Sequence, residues 1–460
     1  MTRDCPRILV VTGNNFNLVS GGGITLTNLF KGWPSDCIAN VHEDATQEDH
    51  SVCRNFYRLS SKEIRWAWPF SLGQAWYDRR KRTTAASVDC ASVQGASLIN
   101  PHTSGWTQYA RSVMGEGIPK YAQLSRSLTQ WVDAFEPTLL YGFLGSLEQM
   151  GLIQLLANWK RIPMVVHMMD DWPSVLYSRG LLAPVVGPLV RRKLDVVFGQ
   201  AAQRMAICDD MCEEYRRRYD YDFLSFQNAL DVDRWMPFRR RQWKAGSPFV
   251  VRYVGSIVPD GQRRSLQDIC QAVKQLASCG EQIEMWVHTS AGDSSYLREA
   301  GFSSRSVHLE GPPGQEQIAR LLAEADLLVL PYNFDQRSAR YIKLSLPTKA
   351  PAYMISATPI LVYAPGDVAT AKYAMREGWG HVVSTQDIFV LQDELRRLMK
   401  DDVVRQRLGE RAHSLACERH NAATIRPAFW KALTDATQGS AQTRPAREVC
   451  SIVTTEDTHE

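Results

Sequence analysis

The chain is poor in cysteine, with 10 among 460 residues. That excludes a disulfide-stapled secreted scaffold, which concentrates cysteines in a short chain. The tightest pair, Cys208 and Cys212, has no matching His or Cys pair nearby, so the two read as buried thiols and no metal site is indicated. No apolar run reaches the roughly 18 residues of a membrane span. The nearest, GLLAPVVGPLV (180–190), is short and interrupted by Pro184 and Pro188. Charge of one sign is also lacking, since 53 Lys and Arg against 49 Asp and Glu leave +4. Such a balance does not fit nucleic-acid binding unless the basic residues cluster. The opening MTRDCPRILVVTG has too short and abrupt an apolar stretch for a secretory signal and reads as a first buried strand. A reducing, cytoplasmic compartment is the expectation.

Length and composition favour two domains. A chain of 460 residues is about three times the usual domain length, and 44% hydrophobic with 22% charged residues is ordinary for soluble globular proteins. Short apolar runs alternate with helical periodicity twice over. RILVVTG (7–13), LLYGFL (139–144), PMVVHMM (163–169) and RMAICD (204–209) read as buried parallel strands in the first half. FVVRYVG (249–255), IEMWVH (283–288), DLLVLP (326–331) and PILVYAP (359–365) do so in the second. Between them, Leu266, Ile269, Cys270, Val273 and Leu276 keep helical spacing. The pattern predicts α/β architecture: two Rossmann-like doubly wound domains facing across a cleft. The first spans 1–235 and the second 249–415, with a linker at 236–248. A helix at 416–436 crosses back to the first domain, and a polar, disordered tail occupies 437–460.

Three segments could carry chemistry. Gly21, Gly22 and Gly23 precede a helix, where glycine lets backbone approach a ligand and N–H groups face an anion or sugar. A plain turn is the equal alternative, and the spacing fails the dinucleotide fingerprint GxGxxG. After the strand ending at Gly255, Arg263 and Arg264 precede a helix expected to open at Ser265, with Asp268 completing a capping box. Two guanidiniums beside helix N–H groups suit a diphosphate. His167 stands at a strand end expected to face the cleft, where an imidazole can bond a sugar hydroxyl or the reacting centre. Asp170 and Asp171 invite a metal reading, but Asp171 or Trp172 before Pro173 is as readily a helix start. Finally, IRWAWPFSLGQAWYDRRKRT (64–83) sets Trp66, Trp68, Phe70, Trp76 and Tyr77 before Arg79, Arg80, Lys81 and Arg82. Aromatics beside a basic cluster suit an anionic membrane interface; core aromatics followed by a solvated basic turn explain the pattern equally.

The densest segment, 329–365, contains SLPTKAPAYMISATPIL. It resembles the nucleotide-sugar signature of retaining glycosyltransferases of the GT-B type, group 1 or family 4, approximately S-x-P-[ST]-K-x-x-E-Y-[LM]-A-x-G-x-P-[IV]-[LV]. Ser345, Pro347, Thr348, Lys349, Tyr353, Met354, Pro359, Ile360 and Leu361 fit. The signature's Glu falls on Ala352 and its Gly on Ala357, and the region upstream, where the family has a second Glu, offers Leu344 and Ser345. FQNALDVDRW (226–235) is similar to the family segment leading into the hinge.

The resemblance implies transfer of a sugar from a nucleotide-diphosphate sugar to a glycan, lipid-linked or small-molecule acceptor, with retention of configuration. It implies no structural metal and no cofactor beyond the donor substrate. Arg263, Arg264, Lys349, Ser345 and Thr348 would hold the donor diphosphate, Gly22 and Gly23 would position sugar or acceptor, and His167 would be catalytic. Partners would be donor, acceptor and, through 64–83, an anionic membrane surface at the cytoplasmic face, with no nucleic acid. The departure at Ala352 keeps open a weak or inactive relative that binds nucleotide or glycan. A sugar-nucleotide 2-epimerase is the third alternative.

Overall fold

A computed structural model describes residues 5–68, 120–175, 183–258 and 261–438, together with Ser71 and Gln74. Its core is two parallel sheets. The first contains β1 (Ile8–Thr12), β2 (Ile38–His42), β3 (Asn55–Arg58), β6 (Leu139–Leu144), β7 (Met164–Met168), β8 (Gln203–Ala206) and β9 (Leu224–Ser225), in the order β3-β2-β1-β6-β7-β8-β9. The second contains β10 (Phe249–Val254), β11 (Ile283–His288), β12 (Val307–Glu310), β13 (Leu327–Pro331), β14 (Ile360–Tyr363) and β15 (His381–Val383), in the order β12-β11-β10-β13-β14-β15. A separate antiparallel ribbon pairs β4 (Ile64–Trp66) with β5 (Lys120–Ala122). Each large sheet begins at its centre and reverses direction beside its first strand, so each is a Rossmann-like doubly wound domain.

The sequence explains the central strands. Ile8–Thr12 and Leu327–Pro331 are buried along their whole length, as strands covered by helices on both faces must be. The strands that apolar runs did not reveal lie near edges or carry polar residues. Asn55–Arg58 is half exposed. In Ile38–His42, buried Asn40 donates to the Val10 carbonyl and His42 lies 3.2 Å from Glu48, so polar residues interrupt a strand that is nonetheless core.

The segment 236–248 is bound to the second sheet rather than free. Arg240 pairs with Asp326 at 2.8 Å, and the Trp243 indole donates to the Ala357 carbonyl at 2.9 Å. Fully buried Arg405 donates to the Trp243 carbonyl through two nitrogens, at 3.1 and 2.6 Å, and to the Met399 carbonyl at 2.9 Å. A buried guanidinium is tolerable because carbonyls satisfy its donors and Asp402 its charge.

The helix Ala422–Gln438 returns to the first sheet. Phe429 packs edge-on against Phe30, Tyr141 and Phe226. Trp430 donates to the Leu29 carbonyl at 3.1 Å, and Arg426 pairs with Asp231 at 2.6 Å. The tail beyond it lies outside the described residues, as does 64–83 except for 64–68, Ser71 and Gln74. Within that segment, Trp68 is 82% exposed and Trp66 is half-buried in the ribbon.

Ala357, where the resembled signature has Gly, sits at φ +60. This left-handed region costs a side-chain-bearing residue about 1–2 kcal/mol. Ala357→Gly is therefore expected to stabilise the second domain by about 0.5–1 kcal/mol after the entropy glycine adds to the unfolded chain. Gly409→Ala should destabilise it, because a Cβ there would overlap the Ala357 carbonyl. Urea unfolding followed by tryptophan fluorescence measures both.

Candidate active site

The segment following β1 meets the loop Ser345–Lys349, which lies between β13 and β14 and whose Lys349 reaches back to the end of β10. Beyond β1 the chain turns at Ser20, whose hydroxyl accepts from the Gly23 N–H at 3.1 Å and starts the helix Gly21–Phe30. Each glycine of the triplet is required by close approach. A Cβ on Gly21 would lie 3.2 Å from Thr348 Oγ1 of the second domain, and one on Gly22 would lie 3.1 Å from the Phe143 ring and closer to Asn14. One on Gly23 would overlap Asn17. The Cβ directions of Gly22 and Gly23 are thus filled by the protein's own side chains, and what remains for a ligand is the backbone at the helix start.

From the second domain, the loop Ser345–Lys349 enters this junction. Thr348 Oγ1 donates to the Gly21 carbonyl at 3.4 Å. Asn228 donates to the Thr348 carbonyl at 3.0 Å and accepts from Asn28 at 2.9 Å. Ser345 Oγ donates to Asp170 Oδ1 at 2.8 Å. Lys349 then begins the short helix Lys349–Ile355 and turns its ammonium to the end of β10. Nζ donates to the Tyr253 hydroxyl at 2.7 Å and lies 4.3 Å from the centre of that ring. Tyr253 passes its own proton to the Ser256 carbonyl at 2.6 Å. Gly255, at φ +142, leaves room, since a Cβ there would be 2.8 Å from Nζ. Burial lowers the Lys349 pKa to about 7, against a partial opposing pull from Asp293. Burial thus works against the charged form, and an anion beside the ammonium would restore it.

The arginines arrive differently from expectation. The helix opens at Arg263, two residues before Ser265. Its early N–H groups are already engaged, because Arg264 and Ser265 donate to Asn333 Oδ1 at 3.0 and 3.2 Å. Ser265 donates to the Tyr332 carbonyl at 2.7 Å, and Asp268 bonds Tyr363 and Gln386, so no capping box forms. The guanidiniums are what the loop offers an anion. Arg263 lies 4.1 Å from the centre of the Tyr296 ring, and Arg264 is 70% exposed at 4.0 Å from Asp335.

His167 is the clear correction. It is 0% exposed, and its Nδ1 is 2.6 Å from the hydroxyl of Tyr141, with Phe143 tilted against the ring. Desolvation takes its pKa to about 3. A neutral imidazole sealed inside the first sheet does not face the cleft. Asp171 is also internal, bonded by Arg218 at 2.9 and 3.0 Å and by Tyr215 at 3.1 Å. Its side chain does not cap the short turn Trp172–Ser174. Sequence reading passed over Tyr253, Gly255, Asn333 and Asp293. The usable signal for Asn333 and Gly255 was position, at the ends of the two neighbouring strands where the second sheet reverses. Among the described residues, no group of three or more His, Cys, Asp or Glu is placed to hold a metal ion. A cavity of about 490 Å³ lies elsewhere, lined by Met375, His381, Arg407 and Arg411.

Two Rossmann-like doubly wound sheets, bridged by the Thr348–Gly21 contact, make the GT-B architecture. No family model and no curated protein matches the chain. Solved structures do. HepE of Anabaena in complex with UDP is 14% identical with a TM-score of 0.57, covering 93% of this chain and 100% of that one. Sucrose-phosphate synthase of Thermosynechococcus elongatus is 13% identical at a TM-score of 0.60, covering 95% and 100%. A glycosyltransferase of Rickettsia africae is 8% identical at a TM-score of 0.58, covering 95% and 100%. At these identities the likeness establishes the fold.

The state of Lys349 yields a prediction with a defined sign. An anion favours the charged form, so it raises the Lys349 pKa on binding and draws in a proton. Affinity for a diphosphate held by this ammonium is therefore highest where Lys349 is already protonated and falls as pH rises above its lowered pKa, by up to about tenfold per unit until the bound-state pKa is reached. Calorimetry at pH 8 in buffers of different ionisation enthalpy should register the uptake. Lys349→Arg, which stays protonated, should abolish it; equal uptake in both would place the titrating group elsewhere.

Proposed function

We propose that the protein transfers a sugar from a nucleotide-diphosphate sugar to the hydroxyl of a glycan, lipid-linked or small-molecule acceptor, with retention of configuration. The observation that carries this reading is the junction itself: the helix start at Gly21 meets Thr348, whose neighbour Lys349 turns its ammonium to Tyr253 at the end of β10. Departure of the sugar leaves negative charge on the diphosphate, and Lys349 with Arg263 and Arg264 would stabilise it, a charge-matching role that asks for no metal. Thr348 and the Gly21–Gly22 backbone would fix the phosphates, a positioning role. No protein nucleophile is assigned. The first domain would bind the acceptor and the second the donor. A HepE structure in complex with UDP-glucose makes a uridine donor the first to try.

No described helix is long and apolar enough to cross a membrane. A lipid-linked acceptor would instead bring the protein to an anionic inner face, with 64–83 as the contacting segment.

One observation favours a second reading, a nucleotide-binding protein without turnover. The helix Lys349–Ile355 carries no carboxylate, and Ala352, where the resembled signature has Glu, packs against the hydrophobic core. Calorimetry and mass spectrometry with a donor panel separate the two readings. Sugar transfer or donor hydrolysis supports the enzyme, and binding alone supports the second reading. Lys349→Ala should weaken diphosphate binding by about 1.5–3 kcal/mol, the range for a hydrogen bond to a charged group. Arg264→Ala, removing a solvent-screened cation, should cost about 1 kcal/mol or less. Unchanged affinity in both variants would remove the site assignment.

A further inference from the structure

The loop Ser345–Lys349 touches the first domain at a second point, Asp170. This residue follows β7, a central strand of the first sheet, on the side where ligands enter doubly wound sheets. Its neighbour Asp171 is consumed internally by Arg218 and Tyr215. Asp170 is not. Among the described residues it meets one hydrogen-bond donor, the Ser345 hydroxyl, and no cation. Desolvation, helped by the charge of Asp171, pushes its carboxyl above the usual range despite that bond. The residue is partly exposed, Oδ1 is held by Ser345, and Oδ2 is not among the buried atoms without a partner, so acceptor positions stay open to a ligand.

The second domain's nearby acids are already engaged: Asp293, which pulls on Lys349, accepts from the Ser290 and Thr289 hydroxyls at 2.8 and 3.2 Å. Between β13 and β14 its one carboxylate is Asp335, which accepts from the Ser338 N–H and hydroxyl at 3.1 and 2.7 Å and caps the helix Gln336–Ile342. Asp170 is therefore the carboxylate that the first domain brings to the Ser345–Lys349 loop. A ligand with its diphosphate at Lys349 and a polyhydroxylated group pointing to the first domain would present hydroxyl donors to it.

We propose that Asp170 is a sugar-recognising residue of the donor site, accepting hydrogen bonds from hydroxyls of the transferred sugar and thereby setting which sugar nucleotides are held. The proposal rests on the nucleotide-sugar reading above and assigns the sugar end of that ligand to the first domain. Ser345 fixes one carboxylate oxygen and leaves the other for the sugar.

The test is calorimetry on the full chain with UDP and GDP and with UDP-glucose, UDP-N-acetylglucosamine and GDP-mannose. The unaltered protein should bind one sugar nucleotide more tightly than its parent diphosphate. Asp170→Asn, nearly isosteric, should reduce that margin about tenfold while leaving diphosphate affinity within about twofold, as expected for a lost bond to a charged acceptor. Asp170→Ala should do the same. Deoxy-sugar donors provide a readout without mutation: one missing hydroxyl should cost the unaltered protein a similar factor, and Asp170→Asn should no longer distinguish that donor. A residue acting only as a latch between domains would weaken diphosphate and sugar nucleotide in equal proportion, which would overturn the proposal. Nucleotide binding with no margin for any sugar form would overturn it alone, and no nucleotide binding at all would overturn the proposed function with it.

Discussion

The contact on which the site depends is the approach of Thr348 to the first turn of the helix at Gly21. It requires a residue without a side chain on one domain and a hydroxyl on the other. Around it, Asn228 holds the Thr348 backbone, Asn28 holds Asn228, and Ser345 reaches Asp170. These hydrogen bonds border an apolar contact between the domains, since Leu344, Leu346 and Tyr353 of the second belong to the same buried cluster as the core of the first. A further tie is the helix Ala422–Gln438, where Phe429 packs on Phe30 and Trp430 on Trp33.

The electrostatics follow from the same closeness. Lys349 is crowded by Tyr253 and the Gly255 backbone, and that crowding keeps water from its ammonium. An uncompensated cation in such a place costs stability near neutrality, and an incoming diphosphate recovers that cost. Asp170, on the first domain, has the complementary problem, since desolvation disfavours its charged form. A ligand that is anionic at one end and rich in hydroxyls at the other answers both.

Much of the fold was legible because buried parallel strands read as continuous apolar runs, and LLYGFL and IEMWVH became β6 and β11 to the residue. Edge strands such as β3 and β15 were not legible, since half-exposed strands need no apolar run. Lys349, Thr348 and the glycine triplet could be found from local pattern. Tyr253 and Asp293 could not, because their relevance arises from what they touch across the fold. His167 shows the converse: a His near a strand end looks available in one dimension, and only the packing of Tyr141 and Phe143 against it reveals that it is sealed. Asn333 displaced the anticipated role of the helix N–H groups for a similar reason, as a side chain remote in sequence reached them first.

The central claim is that the two domains share one ligand at the Gly21–Thr348 junction. The most direct measurement is a crystal structure of the protein grown with UDP. The diphosphate should lie within hydrogen-bonding distance of Lys349 Nζ and of the backbone N–H groups at Gly21–Gly22, with Lys349 released from Tyr253. Nucleotide bound away from both, for instance in the cavity lined by His381, Arg407 and Arg411, would contradict the account.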